Sequence, residues 1–449
     1  GPDGRHIHNP TLYVGEWVYG LWYLLLRMPR GRPMVKAALS RLDQSVEVLE
    51  AAQQNLREVP ALWLKIAKEE VRGYLQFLPV IQKELSRISP EKRTEIKKVA
   101  KRAEEVAHHF IRHLSKLQRG APKDFAVGEK RYNFLLKHYH HYDLTATGLM
   151  RLGKRYLDII EEKLERQAAS IDPKRPWVKL VQDIKKKHPS RKKLLSIYRE
   201  ELRRLKGFLK RKDLVSFPRV EQLRVVETPV FSRSTVPFAA YIDPPMFSGA
   251  NRGTFFVTPP AGKSKKAIEE SLSEHSFASL RVTALHEGYP GHHLQFAIQK
   301  LSSRILPRIY HCSSFYEGWS LYCEEMMYEN GYYDEETRLL QLRDQLWRAC
   351  RVLIDVGLQT KALSYGQAVN FLSTKTQMSP AGAAGDVNWY SMSPTVPQSY
   401  LTGMLKILSL REKMKNKEGS NFSLKKFHDR LLKNGAIPLA LAEVRMGLA

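Results

Sequence analysis

Between Val35 and Arg57 the apolar residues Leu39, Leu42, Val46 and Leu49 recur every three or four positions, the spacing of a helix with one buried stripe. The same rhythm runs through Leu62–Leu85, Pro90–Leu117, Glu129–Tyr139, Leu149–Gln167 and Arg191–Lys210. Pro60, Pro90 and Gly120-Ala121-Pro122 punctuate it. No fixed repeat period emerges, which excludes a solenoid. Near residue 216 the pattern changes. Leu223–Val230, Pro237–Ile242 and Thr254–Val257 are short, β-branched and aromatic, bounded by Pro244-Pro245, Gly249 and Pro259-Pro260. They predict a few short strands. Helical spacing returns from Ser271 onward. The expected fold is mainly α with a small β-sheet inserted before a late pair of helices.

With 449 residues, 43% of them hydrophobic, the chain can bury a sizeable core. The most apolar stretch, Leu12–Met28, carries Glu16 and Arg27 and is rich in aromatics, which suits a packed helix better than a membrane span. The chain opens Gly1-Pro2, like the remnant of a tag-cleaving protease. The expectation is therefore an exported or envelope protein whose leader preceded this start, or otherwise a cytoplasmic one. Cys312, Cys323 and Cys350 are odd in number and sit in helical surroundings, so they read as small buried hydrophobes. The net charge of +27 would attract anionic polymers. However, the densest basic run, Arg203–Lys212, places Leu205, Phe208 and Leu209 at helical spacing. It reads as the solvated face of an amphipathic helix, and no nucleic-acid-binding motif accompanies it.

Chemistry concentrates in His286-Glu287-Gly288-Tyr289-Pro290-Gly291-His292-His293. A catalytic zinc site takes three nitrogen or oxygen ligands and keeps one position open. A carboxylate beside it takes a proton from water. The usual solution places two histidines one helical turn apart with a glutamate after the first. Here the spacing is stretched. Positions six or seven apart on a regular helix are separated by about 9 to 10.5 Å along the axis, too far for one zinc with Zn–N of about 2 Å. Pro290-Gly291 supplies the expected deformation, a bulge that draws the second histidine back. With those two residues removed, His292 falls in the ligand slot and His293 becomes its neighbour, although either could hold the metal. A third ligand is expected on the next helix, within Phe315–Glu325. Glu317 follows His286 by 317 − 286 = 31 residues, room for a helix, a turn and a return. Glu324, seven residues further on, shares its face and can support a ligand histidine.

These residues resemble a bacterial family known as domain of unknown function 885, which is grouped with zincin metallopeptidases. Ala284–Gln295 looks like the family signature, and Tyr316-Glu317-Gly318-Trp319-Ser320-Leu321-Tyr322 like its Glu-Gly-Trp helix. Arg348–Leu358 and the closing segment Phe427–Leu439 are similar too. The likeness covers most of the chain, diffusely in the first half. It implies a zincin-like helical metallopeptidase architecture with one Zn2+ per chain. Glu317 also matches the glutamate that binds zinc in the similar Asn-Glu-Gly-Phe-Ala segment of aminopeptidase N, and dipeptidyl-peptidase III provides a precedent for a stretched motif. The chain departs from the family at Gln359, where histidine is usual, at Trp389, where arginine is expected, and in Pro394–Tyr400, which keeps only Pro and Tyr.

The function these parts imply is hydrolysis of short peptides. Glu287 would be the general base, and Tyr400, or else His293, the donor to the developing oxyanion. Arg348 and Arg351 could grip a peptide carboxylate or pair with Asp344 and Asp355. Tyr241, on the strand expected to flank the metal helix, could help hold an extended peptide. The division expected is a helical lobe, 1–215, and a catalytic lobe, 216–449. The latter holds strands in 216–260, metal-binding helices in 271–330 and C-terminal helices, the whole closing round a cleft. The departures leave room for a catalytically inactive binding protein. Zincin chemistry also serves other amides, and a basic surface could bind anionic polymers.

Overall fold

A computed structural model describes residues 4–122, 124–229, 233, 236, 238–247, 249–260 and 264–449. Two compact units divide the chain. One comprises the chain up to Phe125. The other holds Ala126–Pro229 and Thr235–Ala449. The division thus falls ninety residues before the boundary expected near 215. The helices that follow Phe125 belong with those of residues 277–329.

The first unit is built on four long helices, Pro10–Arg27, Arg32–Asn55, Ala61–Ile88 and Arg93–Leu117. Each begins within a few residues of a proline or polar stop, as the periodicity predicts. Their facing stripes, including Leu42, Leu49, Leu64, Val71, Phe110 and Leu114, form one apolar core. Among the described residues, no helix is long and apolar enough to cross a membrane.

The second unit packs helices around a three-stranded sheet. Its strands are β1 (Gln222–Glu227), β2 (Ala239–Ile242) and β3 (Arg252–Val257). The order is β1-β3-β2, with β3 parallel to β1 and antiparallel to β2. Val230 and Pro237, the outer ends of two expected strands, lie outside the described residues. In the register, Tyr241 of β2 stands opposite Phe255 of β3, whose ring is buried. The basic run lies on the helix Leu194–Arg211, which buries Leu202, Leu205 and Leu209 and turns Arg203 and Arg204 to solvent. All three cysteines are buried and free.

Two helix pairs position the site. Ser313–Glu329 crosses Ser399–Glu418 where Gly318 meets Gly403, so closely that a Cβ on Gly318 would fall 2.5 Å from Gly403. Only glycine at both positions allows that approach, and it places Tyr400 beside Glu317. The long helix Glu335–Gln359 packs against Ala146–Ile171 on one side and Phe277–Glu287 on another.

Candidate metal centre

The stretched motif is not a bulged helix. The helix Phe277–Glu287 stops at Glu287, and a new one, His292–Gln299, starts after the four residues 288–291. Between them the Tyr289–Pro290 peptide is cis. The excursion folds back on itself: the Gly291 N–H donates to the Leu285 carbonyl at 3.1 Å, and Trp319 Nε1 donates to the Pro290 carbonyl at 2.9 Å. A Cβ on Gly291 would lie 1.9 Å from the His286 carbonyl oxygen, so any other residue would force the loop open. The tuck brings the rings of His286 and His292 to a 4.8 Å centroid separation.

Glu317 closes the cluster from the next helix. Its Oε2 lies 3.7 Å from His286 Nε2 and 3.4 Å from His292 Nε2. Ligands about 2.1 Å from one tetrahedral metal are about 3.4 Å apart, so these separations match the edges of such a site. Glu287 offers a carboxylate oxygen within 4.8 Å of donor atoms on the same two histidines. Two carboxylates, Glu287 and Glu317, thus border the histidine pair.

The far sides of both imidazoles are fixed. His286 Nδ1 is 2.8 Å from Glu324 Oε1, and Glu324 is fully buried. A carboxylate accepts, so Nδ1 carries a proton and Nε2 is the nitrogen turned towards Glu317, where a metal would displace any proton it holds. His292 Nδ1 is 3.0 Å from Ser320 Oγ, whose hydroxyl donates to the His286 carbonyl at 3.1 Å. Having spent its proton there, Ser320 accepts from Nδ1, and His292 Nε2 is likewise left as a donor atom. Burial opposes a charge on His286, yet Glu317 and Glu324 outweigh it and raise its pKa to about 10. Burial would also raise Glu317, but the two histidines hold it far below the usual carboxylate range. The cluster is arranged for a positive occupant, and its donor set fits zinc.

His293 points elsewhere. Its Nε2 lies 2.6 Å from Glu221 Oε2 and its Nδ1 3.1 Å from the Tyr241 hydroxyl, and the ring is fully buried. Of the two histidines left open, His292 is the one whose Nε2 faces Glu317 and the ring of His286. With both nitrogens engaged, His293 also has no proton to offer an oxyanion; it braces Tyr241. Glu221 additionally accepts from the Tyr289 hydroxyl at 2.6 Å and from Lys206. Burial works against its charge, but these donors bring its pKa to about 2.

Tyr400 comes to lie beside Glu317. Its hydroxyl lies in hydrogen-bonding reach of Glu317, and burial together with that carboxylate's charge pushes the phenol well above its ordinary value. Arg351 packs on its ring, 4.6 Å from the centroid. The ion pairs considered for the arginines do not form: Asp344 pairs with Arg343 at 3.1 Å, and Asp355 accepts from the Tyr132 hydroxyl at 2.8 Å. The departures acquire local explanations. Gln359 bonds the Tyr390 and Ser391 carbonyls and the Val127 N–H, tying three segments together. Trp389 lies beside Arg351, its ring centroid 5.5 Å from the guanidinium carbon.

Residues 25–446 match the family described as bacterial protein of unknown function, DUF885. The chain belongs to this family. Among solved structures, a candidate lipoprotein of unknown function from Shewanella oneidensis is 21% identical, with a TM-score of 0.79 over 98% of this chain and 83% of that one. A candidate lipoprotein from Colwellia psychrerythraea is 22% identical, with a TM-score of 0.81 over 94% of this chain and 77% of that one. At these identities the likeness establishes the fold. No curated protein matches. Sequence reasoning about this DUF885 chain missed Ser320 and Glu221. Ser320 was within reach, since it sits one turn after Glu317 on the same face. Glu221 is 72 residues from His293 and carried no local signal.

Proposed function

We propose that the protein is a zinc-dependent peptidase of the zincin type that hydrolyses short peptides. The observation that carries this reading is the triangle of His286 Nε2, His292 Nε2 and Glu317 Oε2, with Glu287 beside it. Zinc held by His286, His292 and Glu317 would supply the Lewis acid that polarises the scissile carbonyl and acidifies water. Glu287 accepts the proton of the attacking water as the new C–O bond forms. It then delivers that proton to the amine as the C–N bond breaks. Tyr400 turns its hydroxyl from Glu317 to the carbonyl oxygen as charge develops there. Glu324 and Ser320 hold the histidine rings in the tautomers the metal requires. The strand β2 lies at one edge of the sheet, where an extended peptide can pair with its main chain. The lipoprotein descriptions of both structural neighbours support work in the cell envelope.

Elemental analysis of wild type, Glu287→Gln and Glu317→Ala, together with digestion of a mixed peptide library, tests the reading. About one zinc per chain is expected, lost in Glu317→Ala and kept in an inactive Glu287→Gln. A protein that takes up no zinc on reconstitution, or a Glu287→Gln variant that still cleaves, sinks it.

A further inference from the structure

Beside the metal centre stand two arginines whose hydrogen-bonding capacity is not used up. Arg351, on the helix Glu335–Gln359, is 6% exposed. Its Nε donates to the Tyr390 hydroxyl at 2.9 Å, and Nη2 lies 3.8 Å from Asp386. Its Nη1 is buried and has no partner. Arg348, one turn earlier, reaches only the Asp344 carbonyl, at 3.2 Å, and lies over the Trp347 ring at 4.5 Å. Its Nε is also buried without a partner.

Among the described residues, no carboxylate lies within ion-pair range of Arg348. The nearby acids are committed elsewhere: Asp344 to Arg343 and Asp355 to Tyr132. Asp386 accepts from Trp347 at 2.7 Å and from Tyr390 at 2.6 Å. Among the described residues the two guanidinium charges thus have one carboxylate in ion-pair range, Asp386 at 3.8 Å from Arg351. Buried N–H groups left without acceptors are costly and rare. They persist where a ligand completes them. Here the excess is one positive charge, with an unmet N–H on each of two guanidinium groups that pack on the same Trp347 ring, and the complementary group is a carboxylate. The location gives it meaning. The Arg351 guanidinium stacks on the ring of Tyr400, and the hydroxyl of that same ring reaches Glu317. Whatever binds these arginines is one tyrosine away from the metal ligands.

We propose that Arg348 and Arg351 anchor the terminal carboxylate of the peptide, so that the protein removes short pieces from C-terminal ends. This rests on the peptidase reading for its consequence, though the binding itself does not. Trp347 and Tyr400 hold the guanidinium planes in place. A free carboxylate entering between them supplies the acceptors that Nη1 of Arg351 and Nε of Arg348 lack.

The test is calorimetric titration with three probes: acetyl-Ala-Phe, its C-terminal amide, and acetyl-Glu-Phe amide, which carries only a side-chain carboxylate. Wild-type protein should bind the free acid about 30-fold more tightly than either amide, as expected for charge-assisted hydrogen bonds. In Arg348→Gln and Arg351→Lys that preference should shrink to about 3-fold or less while affinity for the amide stays put. Arg348 is only partly buried, so its variant should fold even if the Arg351 variant does not. Equal affinity for acid and amide, no measurable binding of either, or a preference that survives in Arg348→Gln overturns the proposal. So does acetyl-Glu-Phe amide binding as tightly as the free acid, which would make the site one for acidic side chains. Hydrolysis is scored separately with the same peptides. Preference for the acid without cleavage removes the peptidase reading and leaves the anchor. Cleavage of acid and amide alike removes the anchor and leaves the peptidase.

Discussion

The two units bury different chemistry. In the unit ending at Phe125, the described buried side chains are apolar apart from Ser45 and Ser89. In the other unit the interior also holds His286, His292, His293, Glu324, Arg351 and Asp355, each hydrogen-bonded through at least one atom. An apolar core is held by area and shape, so a deletion costs what the lost contacts were worth. A polar interior is held by pairs, so a deletion strands the remaining partner without water to rescue it. The first interior therefore bears on stability alone, whereas the second, on the reading proposed above, would couple stability to cation binding and catalysis.

The largest expected effect comes from Glu287, for which no side-chain hydrogen bond is seen among the described residues. Glu287→Gln keeps size and packing but cannot accept a proton. Peptide cleavage should fall by about 10^3-fold or more with zinc content unchanged, measured as kcat on a cleaved library peptide. Unaltered stability in this variant would confirm that catalysis is separable from the polar pairs around it.

On the apolar side, Leu64→Ala removes a fully buried side chain. It should cost about 2–5 kcal/mol of unfolding free energy while zinc affinity is unchanged, read by denaturant titration and chelator competition. A variant that lost metal in step with stability would break the contrast between the units. On the polar side, Glu324→Ala strands His286 Nδ1. Zinc affinity should weaken by about 10–100-fold, with Ser320→Ala acting in the same direction through His292. If both variants held zinc as tightly as wild type, the tautomer argument for the site would be wrong.

The same contrast explains what was legible in the chain. Apolar stripes write themselves at three- and four-residue spacing, so the helices Arg32–Asn55, Ala61–Ile88 and Arg93–Leu117 were readable to within a few residues. The short helix Trp177–Lys185, just after Pro176, lay below what that spacing can reveal and went unread. That His286, Glu287 and Glu317 come together was legible because their residue types and spacing follow a restricted pattern. The path between them was not. Pro290-Gly291 announced a deformation, but whether the helix would bulge or stop depends on Trp319 and Leu285 catching the loop. Polar partners brought together by tertiary folding, such as Glu221 with His293, leave no periodic trace at all. The boundary at Phe125 was missed for a related reason: helices on both sides share one texture, and only their packing partners distinguish them.

The smallest effect is a difference in acid sensitivity. His140, His275 and His428, all in the second unit, are fully or nearly fully buried, and burial lowers each pKa to about 4. In the unfolded chain each takes up a proton below about pH 6.5; in the fold it does so only near pH 4. Their stabilising contribution is therefore complete above pH 6.5 and drains away as the pH falls towards 4, by about 1 kcal/mol for each histidine at pH 5.5. Asp355 pulls the other way. Burial raises its pKa to about 7, so its contribution is present at low pH and is lost as the pH rises through 7. Asp355→Asn should thus steepen the acid loss that the three histidines cause. Peptide-resolved hydrogen exchange at pH 7 and pH 5.5, corrected for intrinsic rates, reads the balance directly. Protection should fall in the segments around His140, His275 and His428 while the helices Ala61–Ile88 and Arg93–Leu117 keep theirs. Loss of protection in the apolar unit first would mean that its surface charges, not the buried pairs of the other unit, govern the response to acid.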